Sequence, residues 1–181
     1  MNLGRVYLNS VLDNFRNMKR TADGAMEQLS LEELHWAPGE ESNSVALIVK
    51  HMAGNMVSRW TDFLTTDGEK PSRNRDEEFE GGYVSREEMM AVWEKGWETL
   101  FHTLGSLNQE ALLKSVTIRT EPHSVVQAIE RQAYHLSYHT GQIVYLAKQI
   151  KASDWKTLTI PRGKSKEYLA SMQNRFQKEG S

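Results

Sequence analysis

The chain has 181 residues, with 22 Lys and Arg against 24 Asp and Glu for a net charge of −2, and no cysteine. That balance offers no electrostatic footprint for nucleic acid, and the missing thiols exclude disulfides, thiolate metal sites and a cysteine nucleophile supplied by the protein. Hydrophobic residues make up 39% and mean hydropathy is −0.61, which suits a soluble domain, and no apolar run approaches the ~18 residues a membrane span requires.

The opening MNLGRVYLNSVLDNF has no basic stretch followed by an unbroken apolar run. No signal peptide is expected, and a cytoplasmic location is. From Leu3 to about Leu29, apolar residues including Val6, Leu8, Val11, Phe15, Met18, Ala22 and Met26 recur at steps of three and four. This predicts a first long helix with one apolar stripe. Ser30 followed by Glu33 forms a capping-box pattern for a short turn that Pro38-Gly39 ends.

Ser42 or Ser44 opens a second long helix, with Val45, Ile48, Val49, Met52, Met56, Trp60 and Phe63 on one face. The segment DGEKPSRNRDEEFEGG, from Asp67 to Gly82, predicts a long charged loop between the second and third long helices. Ser85 with Glu88 opens the third, turning Met89, Val92, Trp93, Trp97, Leu100 and Leu104 inward. KSVTIRTE, 114–121, predicts a short strand or extended loop, and Pro122 stands where the first position of a fourth long helix would fall. Ile129, Ala133, Leu136, Ile143 and Ala147 mark the buried stripe of that helix.

Four long helices with no alternation of strands and helices predict an all-α fold of helical-bundle type. The expected organisation is a bundle over residues 1–152 and an extension over 153–181, in which Trp155, Leu158, Ile160, Tyr168 and Met172 predict partial packing. Trp60, Trp93, Trp97, Tyr134, Tyr138 and Tyr145 fall at helical spacings and are read as core or dimer packing.

Six histidines are present. His35 before Pro38, His102 near the end of the third helix and His123 in the expected first turn of the fourth are read as solvated or capping residues. His135 and His139 are four apart within one helix, about 40° apart around the axis and one turn displaced. Two imidazoles so placed can chelate one first-row metal ion; the same spacing also suits two part-exposed histidines with hydrogen-bond partners. His51 sits about 90° from the centre of its helix's apolar face. From that shoulder it would complete a three-histidine ligand set or, equally, bond a carbonyl at the edge of the core.

Beside these spacings, LSLEELHWAPGEESNSVALIVKHMAGN and RQAYHLSYHTGQIVYLAKQI resemble the DinB-like, or YfiT-like, four-helix bundle superfamily. The likeness covers about residues 1–152 and is greatest to a bacterial branch known only as a domain of unknown function. The resemblance implies an antiparallel bundle, a homodimer, and a divalent metal, zinc or nickel, held by His51, His135 and His139 and open to water. It also implies chemistry that depends on bacillithiol, mycothiol or glutathione.

With no cysteine of its own, the protein would take its sulfur nucleophile from such a low-molecular-weight thiol. The leading expectation is therefore a metal-dependent S-transferase that joins the thiol to a small electrophile. Arg59, Arg73 and Arg75 are candidates for binding the thiol's carboxylates, although RNRDEE taken alone reads as a self-neutralising surface loop. Asn55 and Gln142 are placed to orient a ligand or to bond between helices. Two alternatives stand beside this one. The first is metal-assisted hydrolysis, which needs a general base that no carboxylate one turn from these histidines provides. The second is a non-catalytic dimer with a structural metal.

Overall fold

A computed structural model describes residues 2–178. Among these the protein is mostly helical: α1 (Leu3–Met26), α2 (Leu31–His35), α3 (Val45–Trp60), α4 (Arg86–Ser106), α5 (Gln109–Leu112), α6 (Val125–Lys151) and α7 (Ser165–Lys178), with one hairpin of β1 (Ser115–Ile118) and β2 (Glu121–Ser124). The last residues of the expected extension, 179–181, lie outside the described residues.

Side-chain caps set most of the helix starts. Asn2 accepts the Arg5 N–H, Ser44 that of Leu47, Ser85 that of Glu88 and Asn108 that of Ala111, each satisfying a donor the helix leaves free. Full capping boxes open α2, through Ser30 and Glu33, and α6, through Ser124 and Gln127. The four long helices share one core: α3 packs along α4 and α1 along α6, while α3 also meets α6 and α1 meets α4. Phe15, Met26, Met52, Met56, Trp60, Trp93, Trp97, Leu100, Ile129 and Leu136 are fully enclosed there.

Close approach of α3 and α4 depends on Gly96, where a Cβ would sit 2.9 Å from the Ala53 Cα. Leu3, Val6 and Val92 face solvent, so the stripes of α1 and α4 are narrower than their apolar spacing predicts.

The start of α6 differs from expectation. Pro122 lies in β2 opposite Thr117, and His123 pairs with Val116, so neither belongs to the helix. The Ser124–Gln127 box supplies the cap three residues later, and the β-branched run of β1 takes 121–124 as its partner. Pro122 is tolerated because a two-stranded ladder has a free edge. Arg119 and Thr120 turn the hairpin at positive φ, 55° and 65°. Their N–H groups each donate to the Asp67 carboxylate at 2.8 Å, which ties the hairpin to the loop after α3.

Beyond α6, Trp155 and Leu158 pack against the core and Lys156 exchanges two hydrogen bonds with the Gln28 side chain. In α7, Tyr168, Leu169 and Phe176 are exposed. Tyr134, Tyr138 and Tyr145 are exposed at 75%, 57% and 70%, which overturns their reading as core. The long loop, 61–84, folds back over α3 and carries a single 3-10 turn, Asp76–Phe79.

Candidate metal centre

Helices α3 and α6 meet along a seam of polar side chains. His51, Asn55 and Arg59 recur every fourth residue along α3, and the facing positions of α6 are Gln132, His135 and His139. At one end of the seam the three imidazoles converge, each offering a ring nitrogen within 4.8 Å of the others. The His51 and His135 Nε2 atoms are 3.1 Å apart. Two Zn–N bonds of about 2.0–2.1 Å at a near-tetrahedral angle span roughly 3.3 Å, so this spacing fits two ligands of one ion.

The other ring nitrogens show which atoms are left for a ligand. His51 Nδ1–H donates to Glu78 Oε2 at 2.9 Å, and His139 Nδ1–H donates to Gln142 Oε1 at 2.7 Å. Both bonds leave Nε2 as the lone-pair nitrogen and fix the plane of the ring. His135 has no such partner: its Nδ1 is buried and unbonded. The only neighbour of its Nε2 is the His51 Nε2, so the ring is held at one nitrogen at most, and an ion shared by the two Nε2 atoms accounts for their approach. The residues present therefore fit a divalent ion.

Electrostatics favour the ligating form. Burial, reinforced by His139 and His51, pushes His135 down to about 3. Burial also lowers His139, against the opposing effect of its bond to Gln142. Both rings are neutral near pH 7, the state in which imidazole binds metal.

Glu78 escaped the sequence reading. Burial alone would raise its pKa, but hydrogen bonds from Arg73 and His51 outweigh that and hold it below the usual carboxylate range. Arg73 Nε donates to Glu78 Oε1 and its second terminal nitrogen to Oε2, both at 2.7 Å. The next residue, Phe79, stacks on the His51 ring with centroids 4.7 Å apart. Gly54 makes room for this turn, since a Cβ there would collide with the Glu78 carboxylate. A glycine one turn after a histidine, in the middle of a helix, was the signal that another segment lies close.

The three arginines proposed as ligand contacts do not gather at the cluster. Arg59 is 4% exposed and donates to Gln132, which in turn donates to Asn55, so Asn55 makes an interhelical bond. Arg73 is enclosed between Glu78 and Glu69, neutralised within its loop but not on the surface. Arg75 is exposed, just before the 3-10 turn.

The remaining histidines are engaged elsewhere or open to solvent. His35 bonds the Leu31 carbonyl and accepts the Tyr83 N–H, His123 lies by Glu121, and His102 is exposed.

No helix among the described residues is long and apolar enough to cross a membrane. No curated protein matches the chain. A family model described as a protein of unknown function, DUF1572, matches residues 2–164, a span that includes all three histidines. The chain belongs to that family.

Proposed function

We propose that this protein is a DinB-like antiparallel four-helix bundle that holds a divalent ion, zinc or nickel, on His51, His135 and His139 and uses it for thiol-dependent S-transfer to a small electrophile. The observation that carries the reading is the convergence of three imidazoles, two of them oriented through Nδ1 by Glu78 and Gln142. When bound, a divalent ion on three nitrogens with an open position would hold an exogenous thiol as its nucleophilic thiolate at neutral pH.

The protein's own residues have the task of positioning. Glu78, gripped by Arg73, keeps the His51 ring aimed at the cluster, and Phe79 covers one ring face from water. No carboxylate belongs to the cluster among the described residues, and both Glu78 oxygens are taken. Glu78 is therefore not free to serve as the general base of a hydrolytic reading. The lack of cysteine requires that the thiol come from outside, with bacillithiol or a related low-molecular-weight thiol as the expected source.

The same proposal takes residues 1–152 as the bundle and those from 153 as an extension, with the protein a cytoplasmic homodimer.

Protein purified without chelator or nickel resin should carry about one equivalent of zinc or nickel. That metal should be lost from His51→Ala, His135→Ala and His139→Ala. Loaded protein should then accelerate conjugation of glutathione or cysteine to chlorodinitrobenzene, and the variants should not. Metal retained in all three variants would refute the ligand set. Metal bound without any thiol conjugation would leave a structural ion in its place.

A further inference from the structure

Beside His139, at the Gln142 end of the seam, the surface sinks into a cavity of ≈ 400 Å³ whose wall includes Glu41, Asn43, Ile48, Tyr138, Gln142 and Tyr145. It adjoins the metal centre through two of these residues. Gln142 holds the His139 Nδ1–H, and the Tyr138 ring meets the His139 ring edge-on, with centroids 5.1 Å apart. Among the described residues that line the cavity, Glu41 alone carries a charge. No described residue bonds the side chains of Glu41 or Asn43 or the hydroxyls of Tyr138 and Tyr145. The cavity thus presents an unpaired carboxylate, an uncommitted amide and two uncommitted phenols.

Tyr138 and Tyr145 are seven residues apart on α6, about 10.5 Å along the axis and on the same side. Both line the cavity, and a ring face attracts a cation out to about 6 Å from its centroid. Two aromatic rings and one carboxylate form the environment that favours an organic cation over water. Arg59 and Arg73 are spent elsewhere, on Gln132, Glu78 and Glu69, and no arginine lines the cavity among the described residues.

We infer that this cavity binds an organic ammonium group, with Glu41 as counter-ion and Tyr138 and Tyr145 as its aromatic walls, so that the molecule reacting at the three-histidine centre is cationic. The inference rests on the proposed metal chemistry for the statement that the ligand reacts there, but the binding itself does not depend on it. The uncommitted amide of Asn43 is placed to bond a hydroxyl or carbonyl on the body of the same molecule.

Choline tests the charge requirement, because its uncharged carbon isostere, with a quaternary carbon in place of nitrogen, has the same shape. Both would be titrated into the full chain, with and without zinc, and binding followed by NMR shifts. Choline should bind saturably and about 3- to 30-fold more tightly than the isostere. Glu41→Gln and Tyr145→Leu should each weaken choline about threefold or more, while zinc stoichiometry stays at the wild-type value in both. Equal binding of choline and isostere, no saturable choline binding, or unchanged affinity in both variants would each overturn the inference. Choline discrimination in a protein that takes up no zinc would refute the metal reading alone, and zinc uptake without choline discrimination would refute this inference alone.

Discussion

Helix α3 meets α4 on one side and α6 on another, and the two seams are made of opposite material. Toward α4 the contact is apolar and close, with Ala53 and Met56 lying against Gly96; behind it Trp93 and Trp97 of α4 sit edge to face in the core, 5.4 Å apart, with no exposure. Even the Trp97 indole N–H is enclosed there without a partner. Toward α6 the buried groups are His51, Asn55 and Arg59 against Gln132, with the half-buried His135 and His139 beside them, joined by hydrogen bonds and ending in one unbonded imidazole nitrogen. Burying apolar surface stabilises a fold, whereas burying polar groups costs free energy wherever a partner is missing. The contrast teaches that one face holds the helix in place and thereby lets the other keep an incompletely satisfied cluster ready for a ligand.

The sharpest way to break this comparison is to damage the apolar face. Trp97→Ala should cost about 3–5 kcal/mol by urea denaturation. Provided the variant still folds, it should bind zinc with an affinity close to wild type. A large loss of affinity alongside a small loss of stability would reverse the roles of the two seams.

Glu78→Gln addresses the other seam. The isosteric amide keeps a hydrogen-bond acceptor for His51 but removes the charge that Arg73 grips, and zinc affinity measured by competition should fall about 10- to 100-fold. Helical content in circular dichroism should not change. Unaltered zinc affinity would mean that the loop merely covers His51 and does not orient it.

The smallest expected effect lies at the far end of α3, where Asp67 ties the loop to the hairpin. Burial raises the Asp67 pKa, but backbone N–H donors from Glu69, Thr120 and Arg119 outweigh it and hold the group down to about 2. Its unfolded pKa is about 3.9, so the stability it contributes is complete above that value and is lost as pH falls through about 2. Asp67→Ala should cost about 1–2 kcal/mol near neutral pH. Thermal melts of wild type and variant should draw together between about pH 4 and pH 2. A difference that grows toward low pH would contradict this account of the carboxylate.

What could be read from the sequence follows the range of the interactions. Ser30, Ser44 and Ser85 act within three residues of their partners, so their helix starts were legible, as was the pairing of His135 with His139 on one helical turn. Glu78 reaches His51 across 27 residues through a loop without periodicity, and nothing local distinguished it from the acidic residues around it. Pro122 misled because its preference for a helix start is weaker than the Ser124–Gln127 box two residues on. The tyrosines of α6 are not core for another reason: helical spacing gives the side of a helix but not whether a neighbouring helix covers it. Tyr134, Tyr138 and Tyr145 face outward, and of the three Tyr138 meets a histidine of the centre, His139.

Cobalt(II) titration of the metal-free protein tests the central claim most directly, because a three-histidine site with an open position gives the ion visible ligand-field bands far stronger than the weak band of solvated cobalt. The account predicts strong bands that saturate at about one equivalent in the wild type and do not form in His135→Ala, with the helical content of the variant expected to match the wild type. Saturating bands of equal strength in His135→Ala, or none in the wild type, would contradict it.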